Sequence, residues 1–128
     1  VVHDEFKLHE LEELMKKYPD AEVLVHPESP ESVIAKADFV GSTKQIIAAG
    51  KASKADTLII ATDYGLFYKM SQTVPDKRLI PAPTGGKSAT CKSCAHCPWM
   101  AMNTLVNLYE TLRDTKNMVE VDEARFCH

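Results

Sequence analysis

The chain has 128 residues, 45% of them hydrophobic, and a formal net charge of -3 at pH 7. This length and apolar content suit one domain with its own core. The 15 basic and 18 acidic residues are dispersed, so the sequence has no basic stripe for a nucleic acid, and no apolar run reaches the roughly 18 residues of a membrane span. We therefore expect a cytoplasmic protein without nucleic-acid or membrane partners.

Helical and strand-like patterns alternate along the chain. Apolar residues at helical spacing predict helices, short runs rich in branched residues predict strands, and the S-x-x-Q pattern from Ser42 to Gln45 predicts a capped helix start. The predicted elements are, in chain order, a helix over 7–18, a strand over 21–25, a helix over 30–37, a strand over 38–41, a helix over 43–52, a strand over 57–61, a helix over 66–74, a strand over 78–83 and a helix over 98–113. On the last helix we expect Met102, Leu105, Tyr109 and Leu112 to form a core-facing stripe.

Four short apolar strands between helices predict an α/β fold, a three-layer α/β/α sandwich with a short four-stranded parallel sheet. Ligands of such sheets bind beyond the carboxyl ends of the strands. The sequence places four polar segments at that edge, and they are His26-Pro27-Glu28, Gly41-Ser42-Thr43, Thr62-Asp63 and the loop before Cys91.

Three of the four cysteines form a C-x-x-C-x-x-C-P run from Cys91 through Cys94 to Cys97. Thiolates at this spacing are typical ligands of an iron–sulfur cluster, and the Cys-Pro pair closes such runs. Cys97 also precedes the predicted helix from Pro98, whose N-terminus would stabilise its thiolate. A zinc site that includes His96, or a Cys91–Cys94 dithiol, would fit the same residues without any catalytic role.

Two further segments carry groups suited to chemistry. His26 and Glu28 alternate on an extended segment and therefore share a face, as a general acid/base pair requires, although a solvated surface turn would explain them too. Ser42 and Thr43 offer two hydroxyls at a helix start, which suits a carboxylate or phosphate. Helix capping alone would also explain Ser42.

Several of these motifs, in this order and spacing, resemble the C-terminal third of quinolinate synthase. The residues that carry the resemblance are His26-Pro27-Glu28, Gly41-Ser42-Thr43, Thr62-x-x-Gly65 and Cys91-x-x-Cys94-x-x-Cys97-Pro98-Trp99-Met100-x-Met102-Asn103. The resemblance covers nearly the whole chain. It implies that residues 1–128 are one α/β domain, the third of three similar domains, and a piece of a longer protein.

The resemblance implies an enzyme that condenses iminoaspartate with dihydroxyacetone phosphate to quinolinate, the pyridine precursor of NAD, on a [4Fe–4S] cluster. Each domain of the family supplies one cysteine to the cluster, and one iron stays open. Cys97 would be the ligand in this chain, in preference to Cys91 or Cys94.

The resemblance also implies roles for residues at the sheet edge. His3, His26 and Glu28 would act in catalysis, and His26 and Glu28 would bind substrate together with Ser42 and Thr43.

Partners are implied as well. They are the two substrates, the other two domains and the L-aspartate oxidase that supplies iminoaspartate. Because the other cluster cysteines are not in this chain, we expect the isolated 128 residues to be inactive.

Overall fold

The computed structural model describes residues 3–84 and 102–115. The chain divides into two compact units, Val1–Cys97 and Pro98–His128. In residues 3–84 of the first unit, a 3-10 turn at His3–Glu5 precedes four helices and four strands. Their bounds are α1 Leu8–Lys17, β1 Glu22–Val25, α2 Glu31–Ile34, β2 Phe39–Val40, α3 Thr43–Ala52, β3 Thr57–Ala61, α4 Gly65–Thr73 and β4 Arg78–Pro81.

The four strands form one sheet in the order β2-β1-β3-β4, and every neighbouring pair is parallel. Leu24 of β1 is opposite Phe39 of β2 on one side and Ile60 of β3 on the other. Since all strands run in the same direction, their carboxyl ends lie at one edge. The predicted α/β fold with a short four-stranded parallel sheet is confirmed.

Alternate residues of the central strands enter two separate apolar clusters. Val23 and Ile59 pack in a cluster with Leu11 of α1 and Val33 of α2. Leu24, Leu58 and Ile60 pack in the other with side chains of α3 and α4, and those side chains are Ile46, Leu66 and Met70. A sheet buried on both faces by helices is the middle layer of a three-layer sandwich.

The second helix is shorter than predicted. α2 spans only Glu31–Ile34, whereas the sequence predicts a helix over 30–37. Beyond it the backbone continues in tighter turns, in which the N–H groups of Lys36 and Ala37 donate to carbonyls three residues earlier. The chain must then turn sharply into β2, so the last predicted turn is not α-helical.

The second unit contains a helix, α5, at Leu105–Asp114. The predicted continuous helix over 98–113 is wrong for residues 102–104, which are not helical. Thr104 is the N-cap of α5, and its side chain accepts a hydrogen bond from the backbone N–H of Asn107 at 3.1 Å. A capping residue of this kind fixes the start of a helix.

The predicted core-facing stripe of the last helix is also wrong for the described residues. Met102, Leu105, Tyr109 and Leu112 are 59–85% exposed. An apolar helix face predicts burial only where another element covers it, which the periodicity of the stripe cannot reveal.

The loop over 84–90 is described only at Thr84, and Cys91, Cys94 and Cys97 lie outside the described residues. Cys97 as a helix cap therefore stays a prediction, as does the assignment of residues 1–128 to one domain. Among the described residues, no helix has both the length and the apolar character to cross a membrane.

Candidate functional site

The segment that follows β1 is a tight turn over residues 26–29. The N–H of His26 donates to the carbonyl of Ala61 at 3.0 Å, which extends the pairing of β1 with β3 by one residue. The N–H of Ser29 then donates to the carbonyl of His26 at 3.0 Å. Pro27 occupies the position in this turn that its fixed φ favours. The turn thus holds the His26 and Glu28 side chains at the carboxyl edge of the sheet.

His3 lies at the same edge of the sheet, although it belongs to the segment before α1. Its segment is anchored by Phe6, which is 2% exposed within the cluster beneath α1 and pairs as an isolated bridge with Thr84, just beyond β4. A buried aromatic ring is a strong anchor because it removes a large apolar area from water. Phe6 therefore anchors the end of the 3-10 turn at His3–Glu5.

The three side chains predicted to act in catalysis converge. The imidazole rings of His3 and His26 are stacked, with centroids 3.9 Å apart and planes 7° apart. His3 Nδ1 lies 3.0 Å from Glu28 Oε2, and His26 Nδ1 lies 3.9 Å from the same oxygen. The two imidazoles are 15% and 16% exposed, whereas the Glu28 side chain is 73% exposed. A largely buried imidazole pair thus holds a carboxylate that solvent or a ligand can reach.

The same three residues could bring one ligand atom each within 4.8 Å of one another, which is a metal-like grouping. A metal bound to imidazole sits about 2.0–2.1 Å from the nitrogen and in the plane of the ring. Two rings stacked face to face with nearly parallel planes share no such point. One ring would have to rotate before His3, His26 and Glu28 could hold a cation, so this arrangement favours proton chemistry over metal binding.

The hydrogen-bond network assigns the proton positions on both rings. The backbone N–H of Glu28 donates to His26 Nδ1 at 3.3 Å, so the neutral ring of His26 carries its proton on Nε2. A carboxylate only accepts hydrogen bonds, so His3 donates to Glu28 from Nδ1. Burial lowers the pKa of His26, the neighbouring His3 lowers it further, and Glu28 partly opposes the shift. A neutral His26 with a proton on Nε2 is a hydrogen-bond donor for a substrate oxygen.

A fourth side chain joins this group. Thr62 follows β3 directly, is 1% exposed, and its Oγ1 lies 3.4 Å from His3 Nε2. The sequence places Thr62 at the ligand edge, in the Thr62-x-x-Gly65 motif of the resemblance, but gives it no role. Its neighbour Asp63 accepts a hydrogen bond from the N–H of Gly65 at 2.8 Å and so supports the start of α4.

Ser42 and Thr43 lie at the start of α3, after β2, which is the neighbour of β1 in the sheet. The N–H and the hydroxyl of Ser42 both donate to Gln45 Oε1, at 2.8 Å and 2.9 Å. The predicted capping pattern is therefore confirmed. Both residues are exposed, and the first N–H groups of a helix have no intrahelical acceptor, so this turn keeps donors for an anionic ligand.

The fold and this edge define a class of protein, a parallel α/β domain with acid–base side chains gathered where such sheets bind small molecules. The family model described as quinolinate synthetase A protein matches residues 1–126. The chain belongs to this family, the quinolinate synthases of NAD biosynthesis.

Proposed function

We propose that this chain supplies part of the active site of a [4Fe–4S]-dependent quinolinate synthase that condenses iminoaspartate with dihydroxyacetone phosphate. Membership of the family supports the reaction class. The observation that carries the proposal for these residues is the Glu28 carboxylate, held by His3 at 3.0 Å and still 73% exposed to a ligand.

Glu28 is the proposed general base, because it combines an ionisable oxygen, a fixed neighbour and access from solvent. Proton transfer by a positioned side chain contributes about 10²–10⁴-fold to a rate. His26, with its proton on Nε2, is the proposed donor to a substrate oxygen. A base and a donor on one turn can act on neighbouring atoms of the same substrate.

Both substrates are anionic, and the edge offers donors suited to them. The Thr43 hydroxyl and the first N–H groups of α3 lie at the turn after β2, one strand away from His26 and Glu28. The Ser42 hydroxyl would join them by leaving Gln45 Oε1. A helix N-terminus of this kind favours carboxylate and phosphate groups. We therefore propose that Ser42 and Thr43 bind a substrate carboxylate or phosphate.

The donor set of the chain suits the cluster. Cys91, Cys94 and Cys97 provide thiolates, the ligands that iron–sulfur clusters take, whereas the described edge provides only nitrogen and oxygen. We propose Cys97 as the ligand from this chain, and the other two cysteines of the cluster from two further domains of the same enzyme. When bound, the cluster would supply a Lewis acid that polarises a substrate oxygen.

The test uses the complete native protein prepared without oxygen. A brown chromophore and quinolinate formed from dihydroxyacetone phosphate and iminoaspartate are expected, the latter generated by L-aspartate oxidase with an added two-electron acceptor other than oxygen. Cys97→Ser should remove both signals, while Cys127→Ser, Cys91→Ser and Cys94→Ser should keep them. Colourless protein with one zinc per chain would instead support a structural zinc or dithiol module, and quinolinate formation by these 128 residues alone would contradict the need for further domains.

A further inference from the structure

Thr62 is a buried residue whose hydroxyl contacts the ring of His3. It directly follows Ala61, the last residue of β3, and β3 is an inner strand of the sheet. Its side chain is 1% exposed, and its hydroxyl oxygen lies 3.4 Å from His3 Nε2. A buried hydroxyl costs free energy unless it is hydrogen-bonded, so this contact matters for the orientation of both groups.

The direction of the contact follows from the other end of the ring. His3 Nδ1 faces the Glu28 carboxylate at 3.0 Å and must donate to it. In a neutral imidazole the second nitrogen is then an acceptor, so the Thr62 hydroxyl donates to His3 Nε2. Two hydrogen bonds in series therefore join the end of β3 to the Glu28 carboxylate.

These two hydrogen bonds connect the buried hydroxyl of Thr62 to the exposed carboxylate of Glu28. Thr62 is buried directly after an inner strand of the sheet, whereas the Glu28 side chain is 73% exposed in a turn and is otherwise free to adopt many rotamers. Functional side chains are more precisely placed when they are supported from strands or helices. The ring of His3 links Thr62 to Glu28, and it also stacks on the ring of His26.

We propose that Thr62 is a positioning residue: its buried hydroxyl holds His3 with the proton on Nδ1, and His3 in turn holds the Glu28 carboxylate beside His26. The inference rests on the proposed role of Glu28 as general base. Thr62 does not itself need to touch the substrate. The hydroxyl of Thr62, and not its volume, is the feature that the proposal requires.

Two variants separate the effect of the Thr62 hydroxyl from the effect of the side-chain volume. Thr62→Val keeps the branched shape and removes the donor, and Thr62→Ser keeps the donor and removes a methyl group. In the complete protein labelled with ¹⁵N-histidine, ring correlations assign the tautomer of His3, and His3→Gln identifies its signals. The wild type and Thr62→Ser should show the proton on Nδ1, whereas Thr62→Val should show a mixture of tautomers.

Activity gives a second readout. Thr62→Val should lower kcat about tenfold, a part of the ~10²–10⁴ that positioned acid–base chemistry contributes, and Thr62→Ser should restore most of it. A proton on Nε2 of His3 in the wild type would overturn the proposal, even if Thr62→Val fails to fold. The same His3 tautomer populations in the wild type and Thr62→Val would overturn it too. So would equal decreases of kcat in Thr62→Val and Thr62→Ser. If the wild type makes no quinolinate, the proposed function fails, and the tautomer measurement still decides the role of Thr62.

Discussion

The imidazole ring of His3 lies flat on that of His26, with centroids 3.9 Å apart and planes 7° apart. His3 comes from the segment before α1, and His26 from the turn after β1, so only the folded sheet brings them together. Two stacked imidazolium ions would repel each other, and burial together with charge on His3 lowers the pKa of His26. The arrangement therefore favours a neutral His26 beside the Glu28 carboxylate.

The lowered pKa of His26 predicts how stability depends on pH. The unfolded chain takes up a proton at its ordinary pKa of about 6.5, while the folded protein resists protonation to lower pH. Between the two values the unfolded state binds more protons, so the free energy of unfolding falls as the pH falls, and above about 6.5 the contribution is fully kept. Urea unfolding of wild type and His26→Gln from about pH 8 to about pH 5 measures this.

The slope of stability against pH should be shallower in His26→Gln than in the wild type. His9→Gln is the matched control, since the side chain of His9 is 82% exposed on α1. Its slope should equal that of the wild type. Equal slopes for the wild type and His26→Gln would contradict the assignment of His26 as a neutral, partly buried ring.

Glu28→Gln separates activity from stability. The substitution keeps the size of the side chain but removes the proposed base, so kcat should fall by about 10²–10⁴. The side chain is 73% exposed, so the free energy of unfolding should change by no more than about 0.5 kcal/mol. Steady-state kinetics and urea unfolding check the two expectations. Glu31→Gln, on the exposed start of α2, should leave both unchanged.

Asp38 fixes the junction between α2 and β2. Its Oδ2 accepts a hydrogen bond from the N–H of Val23 at 2.7 Å, while its own N–H donates to the carbonyl of Val23 at 2.9 Å. Val23 is fully buried, so Asp38→Ala should cost about 1–3 kcal/mol by leaving that N–H without its acceptor. Asp38→Asn retains an acceptor oxygen and should lose clearly less in urea unfolding. An equal decrease of the free energy of unfolding in Asp38→Ala and Asp38→Asn would show that the charge of Asp38, not its hydrogen bond, is responsible.

Lys77 caps the carboxyl end of α3. Its Nζ donates to the carbonyls of Ser53 at 2.8 Å and Ala55 at 2.6 Å. Cations stabilise the end of a helix, and hydrogen bonds from charged donors contribute about 1.5–3 kcal/mol. Lys77→Met should therefore lower the free energy of unfolding by about 2 kcal/mol, whereas Lys69→Met, exposed on α4, should stay within about 0.5 kcal/mol. A thermal or urea transition that shifts equally in both would refute this role.

Gly41 leaves no room for a side chain at the turn into α3. A Cβ atom there would lie 2.7 Å from Phe39 Cε1 and 2.9 Å from Gln45 Cβ. Gly41→Ala should cost about 1–3 kcal/mol by overpacking and should raise KM, because the displaced turn carries Ser42 and Thr43. Unfolding and steady-state kinetics measure the two effects.

Gly50 provides the comparison for Gly41. Its closest neighbour would be Met70 Cε at 2.7 Å, the far end of a flexible side chain. Gly50→Ala also gains helix propensity, so its net cost should be smaller than that of Gly41→Ala, and KM should not change. A KM increase in Gly50→Ala of the same size would argue against a specific effect at Ser42 and Thr43.

The sequence by itself determined the class of fold. Local patterns suffice to locate α1, α3 and β3, since apolar spacing and the Ser42 to Gln45 capping signal are properties of adjacent residues. The same patterns failed at residues 102–104. There the cap on Thr104 outweighs a continuous apolar stripe, and whether that stripe is buried depends on what covers it.

Only the tertiary structure decided how the site is built. Sequence motifs name His26 and Glu28, but the stack of His3 on His26 and the contact of Thr62 with His3 join segments that are distant along the chain. The order β2-β1-β3-β4 is the physical reason, because it places the turn after β1 between the ends of β2 and β3. The proton positions on the His3 and His26 rings beside Glu28 then follow from neighbours that no local pattern reveals.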